Sequence, residues 1–438
     1  MRRDWNEFWF KPCSPVPLGL FRLMFGVLVL AYALLLFPDR WMWFSEQGAL
    51  PLAVSNNYNG VGAGGYRINL LNWAGADHVL TLFFVVFLLA ALGLTLGFWT
   101  RTSAFIVFLC LNSLHNRNNV IHNSGDTVMM VMSIYLVLAP AGAACSLDRL
   151  WRIFKGVEGD VPPLVVPWVQ RLMQIQISIV YACTGLSKSS GSLWQEGTAA
   201  YYPLNLPESA RFKMPLMDAN HLWAINLLTW GTVASELALG FLIWVRRLRL
   251  YVLALGVLLH LGIEYSLNIP LFSFLMITSY LVFLSETDIK NFLAWVQKPL
   301  GVTPLRLVFD GECDFCRSAL LVVRYLDVFR LVTFLDSHDS AQLARAEGVR
   351  FEDAENAAIA VDPKGRQFAG FYAFRAIAWQ LPTTWLLAPL LYIPGIPWLG
   401  RRVYAWVVQN RSRLPVAPRY KPPPPGRKTA ALPSAAGE

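Results

Sequence analysis

The stretch LVFDGECDFCRSAL, residues 307–320, places two cysteines three positions apart directly after a short β-like run. A strand ending at Asp310 and a tight turn at Gly311 would bring Cys313 to the start of a helix. Unpaired backbone N–H groups and the helix dipole favour a thiolate at that position. Cys316 lies one turn further along the helix, within reach of a mixed disulfide on Cys313. The spacing therefore predicts a redox-active dithiol.

The same spacing leaves a structural alternative open, which is half of a zinc site or a pair of idle thiols. A zinc site needs two further ligands, and this part of the chain offers only His338 and no second cysteine pair. Glu312 and Asp314 also bear on the chemistry, because neighbouring carboxylates disfavour the thiolate and shift the pair toward a reducing potential. We therefore favour redox chemistry and expect no bound metal.

Residues 303–412 around the dithiol have the pattern of a small soluble α/β domain. LRLVFD and LVTFLD are short apolar runs, CRSALLVVRYLD has helical periodicity, and NAAIAVDPKGRQFAG predicts two strands joined by a Pro-Lys-Gly turn. This order is compatible with a thioredoxin-like layer fold. Residues 413–438 are rich in proline and are predicted to form a disordered tail.

The composition of the whole chain indicates an integral membrane protein. Of its residues 55% are hydrophobic and only 15% are charged, and the mean hydropathy is +0.43. Soluble proteins carry about 25% charged residues, so we expect the lipid bilayer to be the main partner. The net charge of +9 suits contact with anionic lipid. The sequence has no basic patch interleaved with aromatic residues, and we expect no nucleic-acid partner.

Hydropathy over windows of about 20 residues predicts that residues 1–290 form a polytopic α-helical membrane bundle of about eight spans. The predicted spans are 17–37, 79–99, 102–115, 127–143, 168–187, 223–245, 250–266 and 270–284. If the spans alternate, ten Lys and Arg residues fall on one side and six on the other. Positive residues concentrate on the cytoplasmic side, so we predict a multi-pass cell-membrane protein with both termini in the cytoplasm.

Five polar residues of the bundle are candidates for a site. Glu236 and His260 lie within predicted spans, where ionisable residues are functional candidates by default, although hydrogen bonding between helices would also explain them. His122 and Asp126 flank an Asn-rich loop that is either a polar site or an ordinary solvated loop. Lys188 ends an apolar span. Its amine is either a partly dehydrated base active near neutral pH or a snorkelling interfacial cation.

The dithiol segment resembles a known family. DGECDFC, with Asp310, Cys313 and Cys316, is similar to the signature of the DCC family of thiol-disulfide oxidoreductases, and the later stretches GRQFAGFYAFRAIAW and RRVYAWVVQNRSRL follow that family's pattern. The resemblance implies thiol-disulfide exchange, with Asp310 as a supporting residue. Given the predicted topology, the partner would be a cytoplasmic thiol reductant or client protein.

The membrane part resembles the HTTM superfamily, which includes the vitamin K-dependent γ-carboxylase. The residues that carry this resemblance are NRNNVIHNSGD (116–126), LVLAPAGAACSLDR (136–149), GLSKSSGSLWQEG (185–197), SELALGFLIW (235–244) and LHLGIEYSLNIPLFSFLM (259–276). The carboxylase uses a lysine in a similar context as the base that deprotonates a reduced quinone. The resemblance therefore implies that Lys188 is catalytic and that a reduced, vitamin K-like quinone is the cofactor.

Three classes of function are compatible with these patterns. In the first, the bundle is a quinol-dependent or peptide-modifying enzyme, and the dithiol domain is an appended oxidoreductase. In the second, the bundle is a lipid or quinone sensor that displays a soluble redox or interaction domain. Transport has the least support, because the hydrophobic pattern shows no internal repeat and no paired broken helices.

Overall fold

The computed structural model describes residues 2–58, 68–73, 77–215, 217–299, 305–346, 348–385 and 387–418. The chain divides into two compact units. The first combines Met1–Asp148 with Pro163–Ile289, and the second combines Arg149–Pro162 with Lys290–Glu438. The tail predicted for residues 413–438 lies outside the described residues from position 419 onward.

The first unit is helical, and its helices coincide with the apolar runs of the sequence. They are α1 (Arg2–Phe10), α2 (Val16–Leu36), α3 (Arg40–Phe44), α4 (Leu52–Tyr58), α5 (Asp77–Leu96), α6 (Thr100–Arg117), α7 (Ser124–Leu138), α8 (Leu147–Phe154, which runs into the second unit), α9 (Trp168–Ser189), α10 (Ser192–Gln195), α11 (Tyr201–Asn205), α12 (Leu222–Phe241), α13 (Arg249–Ser266), α14 (Phe272–Ser279) and α15 (Glu286–Gln297, which also continues into the second unit).

Each of the eight predicted spans coincides with a helix, but the described residues hold four helices that are long and apolar enough to cross a membrane. These are Val16–Leu36, His78–Leu96, Leu222–Trp244 and Arg249–Ser266. Two further apolar helices, Ser124–Leu138 and Phe272–Phe283, are shorter. The helices identify a membrane protein, and the total of eight spans stays a prediction.

Glycines let α9 and α12 pack closely. A Cβ on Gly185 would lie 3.2 Å from the backbone nitrogen of Leu237, and one on Gly240 would lie 2.8 Å from that of Ala182. Membrane helices associate through small residues of this kind because they allow the two backbones to approach. The close approach brings the last turn of α9, with Lys188, alongside the middle of α12.

The segment LVLAPAGAACSLDR has a structural role that its sequence did not reveal. The carboxylate of Asp148 accepts hydrogen bonds from the backbone N–H groups of Trp99 and Thr100, both at 2.8 Å, and from the Thr100 hydroxyl at 2.7 Å. The residue at the N-cap position of α6, Trp99, makes no side-chain hydrogen bond to the helix. Asp148, from a distant segment, supplies the cap instead.

The second unit contains a mixed four-stranded sheet in the order β2-β1-β3-β4. Strand β1 pairs in parallel with β2 and antiparallel with β3, which pairs antiparallel with β4. The elements are β1 (Leu305–Phe309), α16 (Asp314–Leu326), β2 (Val332–Asp336), α17 (Ser340–Leu343), α18 (Phe351–Asn356), β3 (Ile359–Val361), β4 (Gln367–Ala369), α19 (Phe371–Gln380) and α20 (Ile396–Asn410).

Side chains of β1 alternate between two small cores, as the pleat requires. Leu307 packs with Leu320 of α16 and Ile377 of α19. Val308 points to the opposite face and packs with Leu335 and Ala354. The sheet is thus covered on both faces, and the carboxyl end of β1 leads directly into the dithiol loop.

Candidate functional site

A cavity of about 620 Å³ lies within the first unit and is bordered by α9, α12, α13 and α14. Its walls are mostly aliphatic. Three of the residues singled out in the sequence line it together, namely Lys188, Glu236 and His260. Their separation along the chain is large, so only the packing of three helices brings them to one site.

Lys188 and Glu236 form an ion pair in this cavity, between the ammonium nitrogen and Oε1 of the carboxylate. Lys188 also lies 5.3 Å from the ring centroid of Trp194, a cation–π distance. The side chain of Glu236 is 11% exposed and that of Lys188 is 27% exposed. The second oxygen of Glu236, Oε2, is buried and accepts no hydrogen bond from the described residues.

His260 belongs to a short hydrogen-bonded chain on the same cavity wall. Its Nε2 lies 2.6 Å from the hydroxyl of Tyr181, which lies 2.7 Å from the hydroxyl of Tyr280. The other ring nitrogen, Nδ1, is buried and has no hydrogen-bond partner within the described part of the chain. Two residues that line the cavity therefore each have one buried polar atom without a hydrogen-bond partner in the described structure, Nδ1 of His260 and Oε2 of Glu236.

Sequence reasoning missed Tyr181 and Tyr280. Tyr181 precedes Lys188 by seven residues, two helical turns, so both side chains face the same direction on α9. That spacing was the available signal for Tyr181. Tyr280 follows α14 in an apolar run, and nothing local distinguishes it from a core aromatic residue.

His122 and Asp126 hold the start of α7, and their part in a functional site stays a prediction. Nδ1 of His122 lies 3.3 Å from the Asp126 carboxylate, and its Nε2 lies 3.2 Å from the carbonyl oxygen of Leu114. Asp126 accepts the N–H of Asn123 at 2.7 Å and completes a capping box at the start of α7. The two side chains are only 5% and 11% exposed, so this is not a solvated loop. Neither residue is among the described residues that line the cavity.

The dithiol of the second unit has the predicted local geometry. Cys313 is the N-cap residue of α16, its Sγ accepts the backbone N–H of Cys316 at 3.1 Å, and the two cysteines form a disulfide with their Cα atoms 5.2 Å apart. Gly311 is needed in the preceding turn, because a Cβ there would collide with the carboxylate of Asp336. The loop thus fixes the sulfur of Cys313 at the start of the helix.

Asp310 organises this loop through its nearly buried carboxylate, which is 11% exposed. Its Oδ1 accepts the backbone N–H groups of Glu312 at 3.0 Å and of Cys313 at 3.1 Å. The same oxygen lies 3.1 Å from Nε2 of His338, and Oδ2 lies 3.5 Å from Arg411. His338 was considered only as a zinc ligand, and Arg411 was not considered.

The geometry bears on the zinc alternative as well. The donor atoms of Asp310, Cys313 and Cys316 lie within 4.8 Å of one another, so Asp310 supplies a third ligand that sequence reasoning did not count. These three side chains could hold a metal ion when the cysteines are reduced, but a tetrahedral site needs a fourth donor, and His338 is not in this group of described residues. The same arrangement equally supports thiol chemistry.

Comparison with known proteins agrees with both units. The fold and the two sites define a class, a membrane protein that carries a thiol-disulfide domain. Residues 10–287 match the profile of the HTTM domain and residues 307–417 match that of the DCC1-like thiol-disulfide oxidoreductase. The chain belongs to the HTTM family.

One curated relative gives a more distant comparison. The sporulation-delaying protein SdpB of Bacillus subtilis (strain 168) is 27% identical over 181 residues, which cover 40% of this chain and 54% of SdpB. The chain thus spans about half the length of this relative. No solved structure matches.

We predict that Asp310→Ala slows thiol-disulfide exchange about tenfold or more, because hydrogen bonds to a charged acceptor contribute about 1.5–3 kcal/mol. Asp310→Asn keeps an acceptor for the N–H of Cys313 and should lose less. The measurement is the rate at which the reduced full-length protein reduces oxidised glutathione. Asp353→Ala is the control, because it removes a partly exposed carboxylate of the same unit that pairs with Arg350. An Asp310→Ala rate equal to that of the control would contradict the positioning role.

Proposed function

We propose that the protein is a membrane oxidoreductase with two reaction sites, a quinol-binding cavity in the HTTM unit and a thiol-disulfide exchange site in the C-terminal domain. The observation that supports it most is the meeting of Lys188, Glu236 and His260 in one apolar cavity. Two charges in an apolar cavity are costly to dehydrate, even when they are paired. Ionisable residues that meet inside a membrane bundle are therefore candidates for a reaction site.

The cavity suits a reduced quinone on two grounds. Aliphatic walls formed by residues such as Leu255 and Leu259 suit an isoprenoid or alkyl tail. The two buried atoms without partners, Oε2 of Glu236 and Nδ1 of His260, suit a head group with two hydroxyls. A reduced quinone held there would be the electron donor, and its oxidation would pass two electrons and two protons to an acceptor such as dioxygen.

Lys188 is the proposed base, and its contact with Glu236 determines how it can act. A paired ammonium cannot accept a proton, so its own proton must first pass to the carboxylate of Glu236. Transfer within the pair neutralises both groups without changing the net charge of the cavity. The free amine of Lys188 is then able to remove a proton from a hydroxyl in the cavity.

The hydrogen-bonded chain beside the pair gives His260 a supporting role. The Tyr181 hydroxyl next to Nε2 fixes the ring orientation and leaves Nδ1 without a hydrogen-bond partner in the described structure. We propose that His260 orients the head group, and that His122 and Asp126 support the site only by holding the start of α7.

At the second site, Cys313 is the proposed attacking thiolate and Cys316 the resolving thiol. The strand order β2-β1-β3-β4 with parallel β1 and β2 supports a thioredoxin-like fold. We propose domain limits of 1–290 for the bundle, 303–412 for the thiol domain and 413–438 for the tail. We also propose a multi-pass bundle with both termini in the cytoplasm, so that the thiol domain meets a cytoplasmic reductant or client.

A second candidate function is a quinone or lipid sensor. The observation in its favour is the ion pair itself, because a lysine held by a carboxylate is a poor base in the resting state. In that case the cavity binds its ligand without turnover, and the thiol domain is the only reactive part.

The decisive variant for the membrane site is Lys188→Arg, which keeps the ion pair but cannot release its proton near neutral pH. We expect reduced naphthoquinone to bind this variant, and we expect the rate of quinol oxidation to fall at least a hundredfold. A general base usually contributes a factor of about 10²–10⁴ to the rate. Purified protein in lipid vesicles is assayed for oxidation of the quinol and for epoxide.

The control is Lys213→Arg, the same exchange at an exposed lysine of the same unit. Full turnover in Lys188→Arg would exclude the base role. Binding without turnover in the unmodified protein would favour the sensor.

The topology has its own test. A reporter that is active only outside the cytoplasm, fused after residue 300, should be inactive if the proposed orientation holds. An active fusion would place the thiol domain on the other side and would change the number of spans by one.

A further inference from the structure

A second cavity, of about 470 Å³, lies in the thiol domain directly beside Cys316. This volume is in the range of small-molecule pockets, about 300–1,000 Å³, and is large enough for an amino-acid side chain. Five aromatic residues, Phe371 and Tyr404 among them, and one face of α20 with Val403 form its wall.

The cavity follows from how α20 packs. Gly400 allows α20 to lie against Phe371, because a Cβ on Gly400 would collide with that ring. No described residue of α20 is fully buried, and Leu399 and Val403 are 49% and 53% exposed. The helix therefore forms a wall that stays open on one side, where a chain can enter and leave.

Polar residues also border the cavity, among them Glu355 and Asn356. Asp310 and Arg411 border it next to the dithiol and carry opposite charges. Tyr404 also borders it, but its hydroxyl accepts the backbone N–H of Ala358 at 2.9 Å. Burial raises the pKa of the Tyr404 phenol, so that this residue stays neutral and adds only its ring to the wall.

We propose that this cavity binds a large apolar side chain next to the reactive cystine of a polypeptide client. The inference rests on the proposed thiol-disulfide exchange and specifies its substrate class. A disulfide under attack must touch the dithiol sulfurs, so the residues beside the client cysteine fall at the cavity. The cavity is apolar and borders Cys316, so it suits an apolar side chain that the client carries beside its reactive cystine.

The reaction in this site balances as follows. The thiolate of Cys313 attacks one sulfur of the client cystine, a Cys313–client disulfide forms, and the other client sulfur leaves and is protonated. The thiolate of Cys316 then attacks Cys313, and the second client thiol is released and protonated. Two electrons and two protons pass to the client. A cellular dithiol reductant restores the Cys313–Cys316 pair.

The test uses the reduced full-length protein and two disulfide peptides that differ only in the residue beside cysteine, Phe in one and Ser in the other. We expect the rate constant for the Phe peptide to be about tenfold higher or more, the ratio expected for burying one aromatic side chain. Val403→Asp places a charge in the cavity wall and should reduce the ratio to about one. Oxidised glutathione, which is too polar to use the cavity, should react equally fast with both proteins.

Two further variants complete the design. Ala405→Asp adds the same charge to an exposed position of α20 outside the cavity and should keep the preference. Val403→Ser, a milder change at a half-exposed position, should lower the preference severalfold and decides the matter if Val403→Asp fails to fold. Equal rates for the two peptides, with normal reduction of glutathione disulfide, would overturn the substrate class alone. No reduction of either disulfide by the unmodified protein would overturn the exchange activity and this inference with it.

Discussion

The ion pair between Lys188 and Glu236 is the interaction on which the membrane site depends. Both charges lie in a cavity whose other walls are largely aliphatic, where each alone would be costly to dehydrate. Their contact compensates the charges and fastens the end of α9 to the middle of α12. The close approach of α9 and α12 at Gly185 and Gly240 makes the contact possible. The ion pair therefore depends on the packing of these small residues.

In both units, carboxylates hold the local backbone in place by accepting hydrogen bonds from N–H groups. In the thiol domain, Asp310 holds the turn in front of Cys313 by accepting backbone N–H groups. In the bundle, Asp148 and Asp126 each hold a helix N-terminus in the same way. Carboxylates that accept backbone bonds fix local geometry. Glu236 differs from them because one of its oxygens is buried and has no such partner in the described structure.

The local features were predictable from sequence, and the long-range ones were not. The N-cap position of Cys313 follows from local sequence, because a strand that ends at Phe309, a glycine at 311 and a helix that begins at Asp314 succeed one another. Lys188, Glu236 and His260 could be named singly because charges in apolar spans are conspicuous. Their convergence could not be predicted, since it depends on how three helices pack. Tyr280 and the contact of His338 with Asp310 could not be predicted for the same reason, because both depend on long-range packing.

The central claim is that the proton of Lys188 moves to Glu236 when a reduced quinone occupies the cavity. Difference infrared spectroscopy of the reconstituted protein measures this most directly, because ionised and protonated carboxyl groups absorb at distinct frequencies. Adding reduced naphthoquinone should remove a carboxylate band and produce a carboxylic acid band, and Glu236→Gln should abolish both changes. A quinol-bound spectrum in which the carboxylate of Glu236 stays ionised would contradict the account.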